Sequence, residues 1–211
     1  TKMDFAYNDE QKEIIKVVRD LVEKEIVPYA SEMDETGKLH EGLLEKLAAQ
    51  GLLGVAIPEE FGGAGLDAIT IAAIYEELGK GCAGVATTVA ANALASYPVI
   101  IAGNDDQKKR YFDIINEDNL AAFALTEPGT GSAAGSVSTR AMKTEDGKGY
   151  ILNGTKCFIT NGALAEVFVV FANTRKSGGI RGLTAFIVRK GTPGFTVGKA
   201  ENKMGIRASN T

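Results

Sequence analysis

Two short segments of this chain carry residues whose types and spacing suit ligand binding. The first segment, Phe123-Ala-Leu-Thr-Glu-Pro-Gly-Thr-Gly-Ser132, begins with an apolar run long enough for a buried strand of about four residues. Pro128 stops that strand, and the two glycines after it tolerate positive φ and let a ligand approach the backbone. Free N–H groups and the Ser132 hydroxyl at a strand end suit an anionic or heteroaromatic ligand. A tight β-turn after a packed strand explains the same residues and stays open as the alternative.

The second segment is Lys156-Cys-Phe-Ile-Thr-Asn161. Side chains two residues apart in a strand point to the same face, so Phe158 and Thr160 are predicted to lie on one side of a strand. Together they offer an aromatic face and a hydroxyl donor, which suits a flat polar ring.

The glycines of the first segment do not form a dinucleotide-binding fingerprint. Gly129, Gly131 and Gly135 have the wrong spacing for that motif. Residues 136–142 alternate like a strand, whereas a Rossmann unit requires a helix in that place.

Read together, the two segments resemble the acyl-CoA dehydrogenase family. The first motif is followed by a second long match at residues 149–162, and three shorter matches lie at 182–188, 193–195 and 203–209. The resemblance extends over essentially the whole chain and is strongest to the short-chain, butyryl-CoA dehydrogenase-like bacterial members.

The resemblance implies an FAD-dependent oxidoreductase of fatty acid metabolism that desaturates an acyl-CoA thioester. In the family, a base removes the α-proton while the β-hydride moves to flavin N5, so the bound flavin carries the redox chemistry. A flavin hydroxyl and a backbone N–H polarise the thioester carbonyl and stabilise its developing charge. The electrons then pass to an electron-transfer flavoprotein.

The same resemblance assigns roles to individual residues. Thr126 would hydrogen-bond the pyrimidine edge of the flavin and Leu125 would pack on it. Phe158 would cover the ring and Thr160 would reach toward N5. Ser132 would meet both the FAD pyrophosphate and the acyl-CoA substrate. The full set of expected FAD-binding residues is Phe123, Leu125, Thr126, Gly131, Ser132, Phe158, Ile159 and Thr160.

Three departures from the family pattern bear on these roles. Ala133 follows Ser132 where many members have Asp, and Phe158 stands where some have Trp, which keeps a ring face but loses an N–H. The resemblance implies that the catalytic glutamate belongs to a C-terminal four-helix domain, which is expected to lie outside these residues, so no catalytic residue is assigned here. Glu127 is interpreted as a support of its loop.

The first half of the sequence predicts helices. Asn8 and Gln11 form a capping box for the first helix, which Pro28 ends. Asp67 caps a third helix, on which the like-charged pair Glu76-Glu77 is expected to face solvent. The other predicted helices cover residues 41–50, 85–102 and from 105 through 115, and the apolar 85–102 helix is interpreted as the centre of a bundle.

The second half predicts strands, because the apolar period shifts from about 3.6 to about 2 near residue 118. Turns are expected at Glu145-Asp-Gly147 and Ser177-Gly-Gly179. The fold class is therefore α+β, with an all-α helical bundle at 1–118 and a small antiparallel β-barrel or sandwich at 119–211. The chain is expected to be a truncated piece. Its predicted strands lie at 120–126, 136–143, 149–154, 156–160, 166–173, 183–189 and 195–199.

The composition and charge of the sequence argue against nucleic acid and membranes as binding partners. A net charge of −4 argues against a nucleic-acid surface, and Pro98 with several polar residues argues against a membrane span in the apolar helix. Cys82 and Cys157 are predicted to be buried thiols in a reducing cytoplasm, and His40 to be a surface or capping residue rather than a metal ligand. The resemblance adds a homo-oligomer, a homotetramer in the family.

Two other functions remain open. One is a non-catalytic remnant that acts as a binding or assembly module. The other is an acyl-CoA oxidase or enoyl-CoA reductase of the same family, which nothing in these residues separates from a dehydrogenase.

Overall fold

The computed structural model describes residues 6–175 and 179–211. Within them the first half is helical and the second half contains the strands. The helices are α1 Asp9–Leu21, α2 Ala30–Thr36, α3 Leu43–Ala49, α4 Ala68–Gly81, α5 Ala83–Ala102 and α6 Asp105–Ile115. The strands are β1 Ala121–Ala124, β2 Arg140–Lys143, β3 Tyr150–Asn153, β4 Val167–Asn173 and β5 Leu183–Arg189.

The start of α1 is as predicted, and its end is not. Asn8 accepts from the Gln11 N–H at 2.8 Å while the Gln11 side chain accepts from the Asn8 N–H at 3.0 Å, a complete capping box. Pro28 does not end the helical path. It occupies the first turn of a short 3₁₀ helix, where a missing N–H costs nothing, and the path continues to the left-handed Gly37 at φ 68°.

On α4, the prediction that Glu76 and Glu77 both face solvent is correct for Glu76 and wrong for Glu77. Asp67 caps the helix as predicted. Glu76 is exposed, whereas Glu77 is only 5% exposed. Its carboxylate is paired with Arg19 of α1 at 2.9 Å and with Lys80 at 2.7 Å. The pair of carboxylates is split because one of them is drawn into the α1–α4 interface by a distant arginine.

Helix α5 is the apolar centre of the helical half, as predicted. It is long and apolar enough to cross a membrane, and it is the one described helix that meets that test. Half or more of it is buried, with Val85, Val89 and Ala95 fully enclosed. Pro98 lies inside the helix without ending it.

The sheet is mixed and open, so the predicted antiparallel barrel is wrong for the described residues. The strand order is β1-β4-β2-β3, with β5 on β4. β1 runs parallel to β4, with Ala121 opposite Val167. β5 is antiparallel to β4, and β3 to β2. Parallel pairing arises because β1 is joined to β4 through a long crossover that contains β2 and β3, not through a hairpin.

Two predicted strands do not form. Residues 156–160 make no strand, and Phe158 has φ 56°, in the left-handed region. Residues 195–199 are also irregular. The turn at Glu145-Asp-Gly147 is confirmed by a bond from the Gly147 N–H to the Thr144 carbonyl at 2.9 Å. The turn predicted at Ser177-Gly-Gly179 extends outside the described residues.

Buried amides join the helices to the sheet. The Asn92 side chain on α5 accepts from the Ala121 N–H of β1 at 2.8 Å. Asn161 donates from its side chain to Thr88 on α5 at 3.0 Å and to Ala121 at 3.1 Å. The two halves therefore share one hydrophobic core. The domain boundary near residue 118 stays a prediction.

Candidate functional site

Strand β1 delivers the first segment to the edge of the sheet. Ala121, Ala122 and Ala124 are buried, small enough to pack between β4 and α5. Beyond them the chain leaves the sheet at Leu125 and Thr126, both half-buried.

A tight turn follows directly. The Glu127 N–H bonds to the Thr130 carbonyl at 2.9 Å and the Thr130 N–H to the Glu127 carbonyl at 3.0 Å. Gly129, Gly131 and Ser132 are exposed. A Cβ added at either glycine meets nothing within 4 Å, and neither has positive φ. These glycines leave open space over the backbone that the described residues do not fill.

The Glu127 carboxylate is the buried support of that turn, as predicted. It accepts from the Ser138 N–H at 2.7 Å, the Ser138 hydroxyl at 2.6 Å and the Thr139 N–H at 3.0 Å. The Thr139 hydroxyl and the Lys156 ammonium complete the set, the latter at 2.8 Å.

Desolvation acts to raise the pKa of Glu127, but the bonds from Lys156, Ser138 and Thr139 outweigh it. The net effect holds the pKa of this carboxyl well below its usual range, so it stays ionised. Burial lowers the pKa of Lys156, and its pairing with Glu127 offsets only part of that effect.

The two segments are joined side by side. The Cys157 N–H donates to the Thr126 carbonyl at 2.9 Å. The Lys156 ammonium donates to the Leu125 carbonyl at 2.9 Å. Sequence reasoning predicted that these segments converge but assigned no role to Lys156. The feature of the sequence that could have identified Lys156 is its position as the first residue of the second segment.

The second segment is a loop, not a strand, and it presents its aromatic ring to solvent. Phe158 is 65% exposed. Thr160 is half-buried, and Asn161, which ends the loop, is fully buried at φ 64°. Asn161 is the second site residue that sequence reasoning missed, because its partners Thr88 and Ala121 are distant in sequence.

Five of the eight predicted residues fall into two groups. The hydroxyls of Thr126, Ser132 and Thr160 make no hydrogen bond to another residue of the described chain. By contrast, Phe123 packs on Phe171 with ring centroids 5.0 Å apart, and Ile159 packs against the core. Phe123 and Ile159 therefore support the site from beneath, and the hydroxyls are free for a ligand.

A groove of about 880 Å³ opens beside the second segment. Phe158 and Ile159 lie in its wall, and the other six predicted residues do not. The groove is also lined by Phe186 of β5, whose ring lies 5.2 Å from that of Tyr150. Elsewhere, no group of three or more His, Cys, Asp or Glu side chains among the described residues could hold a metal ion.

Two family models match this chain almost end to end. Residues 8–116 match the acyl-CoA dehydrogenase N-terminal domain, and residues 122–211 match the acyl-CoA dehydrogenase middle domain.

Individual relatives agree with the models. An acyl-CoA dehydrogenase of Bacillus subtilis (strain 168) is 43% identical over 96% of this chain and 53% of its own length. The structure of butyryl-CoA dehydrogenase from Megasphaera elsdenii superposes with a TM-score of 0.91 at 42% identity, covering 99% of this chain and 55% of that one. An acyl-CoA dehydrogenase from Bacillus anthracis, complexed with FAD, gives a TM-score of 0.86 at 37% identity over 99% of this chain and 35% of that one. The chain spans about half the length of the curated relatives that it matches.

Proposed function

The chain belongs to the acyl-CoA dehydrogenase family, and from that premise we propose that it forms the FAD-binding part of an enzyme that desaturates a short-chain acyl-CoA. The observation that carries the proposal is the 2.9 Å bond from Cys157 to Thr126, because it brings the two predicted flavin segments together. The FAD complex of the Bacillus anthracis relative supports the choice of cofactor.

The residues present fit FAD. Three hydroxyls that have no hydrogen-bond partner among the described residues, those of Thr126, Ser132 and Thr160, provide donors for a polar ring and a pyrophosphate. The empty space over Gly129 and Gly131 admits a ligand close to the backbone. The exposed ring of Phe158 offers a flat apolar face.

FAD supplies a hydride acceptor when it is bound. The task of this chain's residues is to hold and orient it. Thr126 and Thr160 would donate to the ring system, Ser132 would donate to a phosphate or to the acyl-CoA, and Phe158 would exclude water from one face.

The general base lies outside this sequence in our proposal. Glu127 is unsuited to that role because five donors occupy its carboxylate and hold its pKa low. The electron acceptor that we propose is an electron-transfer flavoprotein, and the assembly a cytoplasmic homo-oligomer. Both rest on family membership.

Flavin binding to the purified protein tests the proposal. We expect Thr126→Val and Thr160→Val each to weaken FAD binding about tenfold, the cost of one lost hydrogen bond of ~1.4 kcal/mol. Thr184→Val, at an exposed position on β5, is the control and should bind like the wild type. Anaerobic titration of the complete protein, which in our proposal supplies the general base, with acyl-CoAs of graded length then identifies the preferred acyl-chain length through flavin bleaching.

A colourless protein that takes up no FAD contradicts the proposal. That outcome would favour a module that binds or assembles without catalysis.

A further inference from the structure

Lys156 is a largely buried cation at the point where the first segment leaves the sheet. Its side chain is only 11% exposed. Its ammonium donates to the Leu125 carbonyl at 2.9 Å and to the Glu127 carboxylate at 2.8 Å. These partners are the two residues that flank Thr126.

Glu127 extends the same network to the chain before β2. One carboxylate oxygen accepts from both the N–H and the hydroxyl of Ser138. The other oxygen accepts from Thr139 and from Lys156. The Glu127 side chain is 2% exposed and the Lys156 side chain 11%, so water contributes little to the solvation of either charge.

Thr126 is consequently held from three consecutive positions. Lys156 fixes the carbonyl before it and the carboxylate after it, and Cys157 fixes its own carbonyl. Phe158 follows Cys157 directly. A shift of Lys156 would therefore displace Thr126 and Phe158 relative to each other.

Stability alone is a poor explanation for such a pair. Burying two charges costs solvation that their attraction often fails to recover, and apolar replacements of both partners are frequently neutral. Where buried ion pairs are useful, they select one arrangement over its alternatives. Here the arrangement selected is the one that aligns the two segments.

We propose that the Lys156–Glu127 pair is a positioning element that aligns Thr126 with the Phe158 loop for flavin binding. This inference rests on the proposed function. Neither residue touches the ligand in this account: both act through the backbone of the two segments.

The test compares FAD binding with folding. We expect Lys156→Met to raise the Kd for FAD at least tenfold and to change the visible circular dichroism of the bound flavin. The matched control is Lys190→Met. It removes an exposed ion pair in which the Lys190 ammonium lies 3.0 Å from the Glu166 carboxylate. It should leave both readouts within twofold of the wild type. Lys156→Arg keeps the charge in a larger, planar group, so its Kd should lie between those of Lys156→Met and the wild type.

A second variant keeps the test decisive if Lys156→Met leaves an unfolded chain. The double variant Glu127→Gln with Lys156→Met leaves no unpaired buried charge and keeps one of the two acceptor oxygens, so we expect it to be less stable than the wild type but folded, with native far-ultraviolet circular dichroism, and still to bind FAD at least tenfold more weakly. Wild-type Kd and flavin spectrum in a folded Lys156 variant would overturn the positioning role and leave the proposed function intact. A wild-type protein that binds no FAD would overturn the proposed function, and this inference with it.

Discussion

At the scale of single residues, Phe158 separates function from stability. Its ring is 65% exposed and its backbone lies in the left-handed region, so the folded chain gains little from the side chain. We expect Phe158→Ala to change the free energy of unfolding by less than about 1 kcal/mol. The same variant should bind FAD more weakly, because a flat apolar contact is lost. Urea unfolding and flavin titration of one preparation measure both effects.

Tyr97 provides the control for that prediction. It is also an exposed aromatic residue, at 40%, and it stands on α5, away from the two segments and the groove. Equal losses of FAD affinity in Tyr97→Ala and Phe158→Ala would contradict a specific role for Phe158.

Glu77 predicts a pH dependence of stability. Its bond to Arg19 is the main cause that lowers its pKa from 4.5 to about 2, with Lys80 assisting against desolvation. Because the folded-state pKa is depressed, the stabilisation is present above about pH 4.5 and is lost as the pH falls toward 2. The size is about 1 to 3 kcal/mol, since the half-exposed Arg19 is screened by solvent.

We expect Glu77→Gln to lower the unfolding free energy at pH 7 by that amount and to flatten its decline between pH 5 and pH 2. Glu76→Gln removes an exposed neighbour that also pairs with Lys80, and should do neither. Urea titrations across this pH range measure the difference. Identical pH profiles for the two variants would exclude the assigned role.

The contrast between Glu76 and Glu77 shows where residue-level prediction from sequence ends. Two adjacent acids on a helix look alike in any local window. Arg19, which distinguishes them, is 58 positions away. The hydroxyls of Thr126 and Ser132 belong to a contiguous motif, so the sequence alone could nominate them for ligand binding, and that role stays a prediction.

At the scale of elements, Asn161 joins the second segment to α5 and β1. Its side chain donates to the carbonyls of Thr88 and Ala121, and its backbone has φ 64°. We expect Asn161→Ala to cost about 2 to 4 kcal/mol, from two lost buried bonds and a left-handed alanine. Asn161→Gly loses the same bonds without the backbone strain and should be less destabilised. Chemical denaturation of both variants separates the cost of the lost hydrogen bonds from the cost of backbone strain. A glycine variant less stable than the alanine variant would contradict the contribution of strain.

Helices were predicted well and strands less well, for a physical reason. The caps at Asn8 and Asp67 act within one turn of helix, so the local sequence contains the whole interaction. A strand needs a partner edge. Residues 156–160 alternate suitably, but Cys157 bonds to Thr126 and the chain then turns at Phe158, so no ladder forms.

At the scale of the whole molecule, the topology of the sheet was beyond the sequence pattern. Glycine turns between short strands favoured hairpins and an antiparallel barrel. The parallel pairing of β1 with β4 depends on the buried contacts of both strands with α5, which no local period reveals. The convergence of the two segments was predictable only through the family resemblance.

Arg207 links the last residues of the chain to α2. This link predicts which residues become accessible to protease when it is removed. The Arg207 guanidinium donates to the Asp34 and Glu35 carbonyls in the final turn of α2, at 2.6 and 3.3 Å. It also donates to Asn202 and Lys203, at 2.8 and 2.9 Å. A cation at a helix C-terminus satisfies free carbonyls and favours the helix dipole.

Arg207→Gln removes that link, and we expect it to lower the unfolding free energy by about 1 to 3 kcal/mol. Protease cleavage within residues 199–206 should increase, because these residues have no strand or helix of their own to hold them. Arg207→Lys should be intermediate, since one ammonium cannot reach both ends of the network. Arg189→Gln, at an exposed position on β5, is the control for lost charge. Equal cleavage of the Arg207 and Arg189 variants would show that the last segment is held by its apolar contacts, such as Ala208 against Gly84, and not by the guanidinium.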